Sequence, residues 1–473
     1  MNRVRFAPSP TGFLHIGSAR TFAFNWFFVR KTGGVMILRL DDTDAERNTE
    51  ASVRSIFEGL EWLGLGWDEF YKQSERGALH ARAGEAILAK GMAYRDFTPS
   101  PGGEDNRPHE SGPWLFHPGA RDLPAEESER RAAAGEPYVL RFKVPRGKGR
   151  KIRFQDLVYG PQEKAADDVE DFALLRSNGG ATYHLASCAD DDDLRISHII
   201  RGSDHIANTF KHILIFEALG TPMPSFAHLP LLIAPDGSKL SKRKHGPAVS
   251  VTTYRDTGFL PEAFLNFISL LGWSPKNDRE FMTLDELREA FSLEGVNRSS
   301  ATVNFTETDP IDPKALWLNA QHLRQAPLAV LLPRVRAALQ AAGLTVPGDE
   351  EWFGSTVDLL RARYQTLLDF STKGRAYFAD DFEMTPEARA KLDADCGRQL
   401  CRELSARLAA ASEFTAASIE AELRGLCQER GVKAGVLINA SRAALTGQSV
   451  GPSAFSLFVA IGRERAIRRL AAV

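Results

Sequence analysis

His15, in the stretch VRFAPSPTGFLHIGS (residues 4–18), and Lys239 and Lys242, in DGSKLSKRKHG (residues 236–246), are the side chains best suited by type and setting to do chemistry. His15 falls where a strand-like run gives way to a helix start. A helix N-terminus offers free N–H groups and the positive end of a dipole, which suits a phosphate. Gly17 and Ser18 are small enough to let a nucleotide approach the backbone, and a histidine there can hydrogen-bond a phosphoryl oxygen as charge builds. The two lysines are bracketed by Gly237 and Gly246, so the basic loop has hinge-like ends. It can fold over a triphosphate and stabilise a departing pyrophosphate. Taken singly, each stretch has a plainer reading: a Rossmann-type first crossover with an incidental histidine, and a solvated basic loop or nonspecific RNA patch.

The elements that must position these groups follow from the pattern. Residues 4–7 read as a short buried strand, and Pro8, Pro10 and Gly12 force a loop. Ala19, Phe22, Phe24, Trp26 and Phe27 suit a buried helix ending near Gly33. Residues 35–40 (VMILRL) are a continuous apolar run, as in a buried parallel strand. The run ends in Asp41-Asp42-Thr43-Asp44, where doubly wound sheets bind ligands. Asp41, nearest the strand end, is the ligand candidate. Asp44 reads as the N-cap of a helix over 51–63. Pro, Gly and charge then dominate 98–135, followed by strand-like runs at 138–144 and 151–158. From Thr182 the segment TYHLASCADDDDLRISHIIRGSDH predicts a strand, a solvated acidic turn at 190–193, and a second strand at 196–200 ending at Arg201. A helix over 208–219 stops at Gly220, and another apolar run, 229–234, leads into the basic loop. LPEAFLNFISLLGWS (260–274) is an amphipathic helix. From about 321, Ala, Leu and Arg recur with helical periodicity and strand signals nearly vanish. Breaks at 347–354 and 380–387 suggest two helical subdomains.

Length implies three or more domains. With 59 basic and 61 acidic residues the net charge is −2, so bulk charge does not advertise a nucleic-acid binder. Such a role needs local basic surfaces, for which residues 146–153, 239–244, Arg361 with Arg363, and 463–469 are candidates. Cys188, Cys396, Cys401 and Cys427 have no metal-ligand spacing and read as buried thiols of a reducing compartment. No apolar run nears the 18 residues of a membrane span and no signal segment opens the chain, so a cytoplasmic protein is expected.

Together, HIGS and KLSKR resemble the HIGH and KMSKS signatures of class I aminoacyl-tRNA synthetases. RFAPSPTGFLHIGSART, GGVMILRLDDTDAER, LEWLGLGWDE and IIRGSDHIANT are similar to words of the bacterial glutamyl-tRNA synthetases, and the resemblance runs nearly end to end. It implies an α/β fold: a Rossmann-type catalytic domain (1–92 and 183–245), an acceptor-end-binding α/β insertion (93–182), a stem-contacting domain (246–320) and an all-α anticodon-binding region (321–473). It implies that glutamate is activated by ATP, carried with Mg²⁺, and passed to tRNA(Glu), by a monomer with no membrane role. His15, Lys239 and Lys242 would be catalytic. Pro8, Gly12, Gly17, Ser18, Asp204 and Ser241 would join them around ATP. Arg5, Ala7, Ser9, Asp41, Tyr183, Ser187 and Arg201 would hold glutamate. Arginine forks suit its carboxylates, and Asp41 would take the ammonium.

Three departures from the family pattern stand out. Members usually carry a glutamate where this chain has Asp41, a loss of reach of about 1.5 Å. They usually carry an asparagine at Ser187. Many have a zinc-binding cysteine cluster near the start of the insertion, whereas residues 94–98 hold no cysteine, so no zinc is expected. Residues 358–370 (DLLRARYQTLLDF) read as one helix matching the place where members carry an arginine that reads the third anticodon base. Arg361 and Arg363 would then point about 200° apart, so only one could serve. That arginine would make the enzyme discriminate tRNA(Glu) from tRNA(Gln). A glutaminyl-tRNA synthetase is disfavoured because its anticodon part is built of β-barrels. A short tRNA-modifying paralogue would lack the tail, and a degenerate non-enzymatic paralogue would not need His15, Lys239 and Lys242.

Overall fold

The structure is a computed structural model that describes residues 1–43, 49–98, 115–116, 118–147, 149–346 and 348–473; Asp44 lies outside them. Two compact units emerge: Met1–Thr253 with Leu265–Pro310, and Tyr254–Phe264 with Ile311–Val473.

The first unit is α/β. Its first ten strands are β1 (Arg3–Phe6), β2 (Val35–Leu40), β3 (Glu69–Lys72), β4 (Ala93–Asp96), β5 (Val139–Phe142), β6 (Lys151–Asp156), β7 (Gly160–Ala165), β8 (Ala173–Leu175), β9 (His198–Gly202) and β10 (Ser225–Leu229). Seven form one sheet in the order β3-β2-β1-β9-β10-β6-β7, parallel except for the β6–β7 hairpin. The strand order runs outward in opposite senses from β1 and β9, so the topological switch point lies between them, at the carboxyl ends of both. The helix Ile16–Lys31 follows β1 and buries Phe22, Phe24 and Phe27. Each such side chain contributes about 1.5–3 kcal/mol on leaving water, which fixes the helix start under the first loop.

Residues 93–182 divide. β4, β5 and β8 make their own antiparallel sheet. β6 instead pairs in parallel with β10, Asp156 opposite Phe226, and extends the central sheet.

The segment after Thr182 departs from its expected strand and turn. Tyr183–Asp193 is a helix that buries Leu185, Ala186, Cys188 and Ala189, together with Asp190 and Asp191. The acidic run is therefore not a solvated turn. Cations from distant elements neutralise it: Asp190 accepts from Arg76 Nε (2.7 Å) and Gln73 (2.9 Å) and contacts His80 (2.8 Å), and Asp191 accepts from Arg39 Nη1 (2.8 Å) and Arg5 Nε (3.1 Å). Arg39, itself fully buried in β2, is the hub of this network. The helix over 50–63 is capped by Thr49, whose hydroxyl accepts from Ser52 N at 3.1 Å.

The second unit is all-α, with helices from Pro313–Gln325 to Arg463–Ala471 around a core that includes Leu331, Val335, Phe353, Val357, Leu404, Leu423 and Leu437. The break expected at 347–354 is shorter: Asp349 caps a helix already begun at Glu350, accepting from Trp352 N at 2.9 Å. That helix ends at Arg361, so 358–370 is not one helix. Asp369 accepts from the backbone N–H groups of Gln365 (2.7 Å) and Thr366 (3.1 Å) and stabilises the intervening turn. Cys396 is exposed rather than buried, because it occupies a left-handed turn (φ +62°) before the helix Gly397–Ala410. The arginines of 463–469 serve the fold: Arg469 is buried against three backbone carbonyls and Asp380, Arg465 donates to Tyr377 O (2.7 Å), and Arg468 pairs with Asp380 (2.6 Å). Among the described residues no helix is long and apolar enough to cross a membrane.

Candidate active site

A cavity of about 460 Å³ opens at the switch point, walled by the ends of β1 and β9, the first loop, the start of the helix Ile16–Lys31 and the basic loop. On one side it presents His15. The ring caps the helix: its Nδ1 accepts from Gly17 N–H at 2.9 Å. Burial, then the charges of Lys242 and Lys239, lower its pKa to about 4. The ring is therefore neutral near pH 7, and with Nδ1 acting as acceptor its proton must sit on Nε2. Nε2 is buried and makes no hydrogen bond among the described residues. An unpartnered N–H donor is thus buried on a residue that lines the cavity.

Above it lies the basic loop. Ser241 caps the short helix Lys242–His245, its hydroxyl accepting from Lys244 N at 3.3 Å. Lys242 Nζ stands 5.7 Å from the centre of the Phe13 ring. Gly12 is required beneath it: its φ is +119°, and a Cβ there would come within 3.3 Å of Lys242 Nζ. Lys239 Nζ is 2.8 Å from Asp204 Oδ2, and Lys244 Nζ is 2.6 Å from Asp236 Oδ2. Pro8, His15, Gly17, Ser18, Asp204, Lys239 and Lys242 line the cavity, whereas Gly12 supports Lys242 and Ser241 caps a helix rather than lining it.

The other side presents two guanidinium groups. Arg5 is held through Nε by Asp191, at 3.1 and 3.3 Å, which leaves both terminal amino groups without a partner among the described residues. Among the described residues Arg201, 6% exposed, has only neutral partners: Nε donates to His228 Nε2 (3.3 Å), Nη1 to Tyr183 Oη (3.2 Å) and His212 Nδ1 (3.4 Å), Nη2 to Thr209 Oγ1 (2.8 Å) and His205 O (3.5 Å). Burial and the Arg201 charge push His205 down to about 4 and His212 well below the imidazole range, so neither adds charge near pH 7. Asp41 reaches the cavity wall, but both its oxygens accept from Arg39, at 2.7 and 3.3 Å. Burial raises its pKa despite that partner. Ser187 is buried with its hydroxyl unpartnered among the described residues, and Ala7 and Ser9 complete the wall. Sequence reasoning missed His205, Thr209, His212 and His228 around Arg201, and Arg39 and Asp191 behind Arg5. His205 and Thr209 lie within IIRGSDHIANT and Arg39 within GGVMILRLDDTDAER, whereas His212, His228 and Asp191 lie in none of these words.

In the second unit, Arg361 donates to Ala326 O at 2.5 Å and pairs with Asp358 at 2.6 Å. Arg363, just beyond the helix end, is exposed.

The chain is similar to known proteins over its whole length. Residues 1–310 match the family of class I tRNA synthetases (E and Q), catalytic domain, and residues 321–473 match the anticodon binding domain. The glutamate–tRNA ligase of Solibacter usitatus is 54% identical, covering 99% of this chain and 98% of that protein. Glutamate–tRNA ligase 2 of Koribacter versatilis is 44% identical, covering 99% and 97%. A crystal structure of a glutamate tRNA ligase from Elizabethkingia meningosepticum, in complex with its amino acid, superposes with a TM-score of 0.85 at 31% identity, covering 100% of this chain and 98% of that one. A cavity walled by a donor-bearing histidine, a lysine loop and an uncompensated buried arginine thus sits in a chain that belongs to the bacterial glutamyl-tRNA synthetase family of class I.

Proposed function

We propose that this chain activates glutamate with ATP and transfers it to the 3′ end of tRNA(Glu), in the cytoplasm. An α-carboxylate oxygen attacks the α-phosphorus of ATP, the bond to the bridging oxygen breaks, and pyrophosphate leaves. The terminal ribose hydroxyl of the tRNA then attacks the acyl carbon and AMP leaves. Such chemistry needs positioning and charge neutralisation more than a covalent nucleophile. His15 Nε2–H meets a phosphoryl oxygen. Lys242, and Lys239 on leaving Asp204, meet the phosphates of the departing group, whose Mg²⁺ arrives with ATP as part of the substrate. Tyr183 and Arg201 hold the side-chain carboxylate, Arg5 offers its free fork beside them, and Asp41 accepts from the ammonium.

The observation that carries this reading is Arg201: a buried cation with no acidic partner among the described residues, sharing one cavity with His15 and Lys242. A buried charge wants an opposite one, which favours an acid over an amide substrate. The test is to charge purified glutamate and glutamine tRNAs with labelled glutamate. Charging of neither would refute the proposal.

Two further expectations belong here. Among the described residues no group of three His, Cys, Asp or Glu side chains is disposed to hold a metal ion. Purified protein should carry no stoichiometric zinc, and about one zinc per chain by elemental analysis would overturn that. For the anticodon, Arg363 is the reader we favour, because Arg361 is committed to Ala326 and Asp358. Arginine suits an unstacked base through bidentate or stacking contacts. Native protein should prefer tRNA(Glu), and Arg363→Gln should erode the preference by about 1–3 kcal/mol while Arg361→Gln leaves the ratio unchanged. Equal charging by native protein, or no effect of Arg363→Gln, removes Arg363 from recognition.

A further inference from the structure

Three adjacent strands of the central sheet each bring one polar residue to the same place. Asp156 ends β6, His228 lies on β10, and Arg201 lies on β9 directly opposite His228 in the ladder. Asp156 and His228 are wholly buried. Asp156 Oδ2 stands 2.6 Å from His228 Nδ1, and His228 Nε2 stands 3.3 Å from Arg201 Nε. Asp156 Oδ1 meanwhile accepts from the backbone N–H groups of Tyr159 (2.8 Å) and Val158 (2.9 Å).

The donors and acceptors in this line have one consistent assignment. A guanidinium Nε–H can only donate, so His228 Nε2 must be bare. The imidazole proton is then on Nδ1, where it needs an acceptor, and among the described residues only the carboxylate of Asp156 lies within reach. Burial works against the Asp156 charge, but the hydrogen bonds from His228, Tyr159 and Val158 outweigh it and hold the carboxyl below its usual range. Burial also holds His228 below the usual imidazole range despite Asp156. The arrangement is an ionised aspartate, a neutral imidazole and a charged arginine. A wrong tautomer would set N–H against N–H at Arg201 and turn the Nε2 proton toward Thr209 Oγ1, 3.1 Å away.

We propose that Asp156 and His228 are positioning residues for amino-acid selection: Asp156 fixes the His228 tautomer, and His228 aims the Arg201 fork at the side-chain carboxylate of the substrate. This rests on the reading of Arg201 as the ligand of that carboxylate. It also gives the docking of β6 on β10 a consequence for the site. Without that strand pairing His228 has no carboxylate to orient it.

Asp156→Asn tests the idea with almost no change of shape. The amide oxygen still accepts from Val158 and Tyr159. The amide nitrogen now faces His228 Nδ1 as a donor and drives the imidazole proton to Nε2, against Arg201. In aminoacylation, KM for glutamate should rise about 10- to 100-fold, as for loss of a hydrogen bond to a charged group, with KM for ATP within about twofold and the preference for glutamate over glutamine reduced. His228→Gln supplies an acceptor that does not depend on Asp156. It should stay within about threefold of native, and adding Asp156→Asn to it should cost little more. The relay is overturned if Asp156→Asn leaves glutamate KM within twofold of native, if His228→Gln is as impaired as Asp156→Asn, or if the double variant is as impaired as Asp156→Asn alone. Arg201→Gln measured alongside separates the two readings: if it lowers use of glutamate and glutamine equally, Arg201 does not read the carboxylate, whereas a selective Arg201→Gln with a silent Asp156→Asn sinks the relay alone. Should Asp156→Asn fail to fold, ¹⁵N spectra of histidine-labelled native protein decide. A protonated Nδ1 and bare Nε2 at His228 are expected, and the opposite tautomer overturns the proposal.

Discussion

Lys242→Ala should lower adenylate formation by about two orders of magnitude or more, with glutamate KM moving far less. The three lysines of the basic loop are not equivalent. Lys239 and Lys244 each pair with a carboxylate, Asp204 and Asp236. Lys242 has no such partner among the described residues, and burial lowers its pKa. Its ammonium is half-withdrawn from water and held over Gly12 by the geometry of the loop. A charge fixed in place before reaction requires no reorganisation as pyrophosphate departs, which is why its removal falls on the transition state rather than on substrate binding. Lys244→Ala is the control: it loses only the tie to Asp236 and Ser238 at the base of the loop and should cost much less. Measured by ATP–pyrophosphate exchange with tRNA present, near-native turnover of Lys242→Ala would remove this lysine from the mechanism.

The two halves of the cavity were not equally legible. His15 was legible because its setting is local. A strand, two prolines, a glycine and a helix start lie within 15 residues, and the N-cap bond to Gly17 spans two positions. The lysine loop was legible for the same reason, and the all-α second unit because strand-forming runs are scarce after residue 320. What makes Arg201 unusual was not legible. Its uncompensated charge depends on Thr209, His212, His228 and Tyr183, which arrive from two helices and a neighbouring strand. Chain order does not reveal that all of them are neutral.

The acidic run was misread for a related reason. Four consecutive aspartates suggest water, because burying one unpaired carboxylate costs several kcal/mol. The arginines that neutralise Asp190 and Asp191 are more than 100 positions away, and hydropathy registers charge without registering pairing. A signal was nonetheless present: Leu185, Cys188 and Ala189 recur at helical spacing. The reverse error occurred at 358–370, where helical spacing continues across a real turn. Asp369 folds that turn back onto the amides of Gln365 and Thr366, an interaction that periodicity cannot register.

The arrangement around Arg201 leads to the second large effect. Arg201→Gln should reduce kcat/KM for glutamate by about 2–5 kcal/mol, the range for truncating one partner of a buried, hydrogen-bonded charge pair, or roughly 30- to 5,000-fold. Glutamine should lose less. Every hydrogen bond the Arg201 guanidinium makes is to a neutral group, and burial lowers its pKa. The site therefore holds a charge with no acidic hydrogen-bond partner among the described residues. A γ-carboxylate balances it, and an amide of the same shape does not. Replacing the arginine with glutamine keeps a hydrogen-bonding side chain against Thr209 and Tyr183 but deletes the charge, so the penalty should fall on the acid. The measurement is kcat/KM for both amino acids in the native protein and the variant, on the same tRNA. Equal losses for glutamate and glutamine would mean that Arg201 holds the pocket together without reading the side-chain charge.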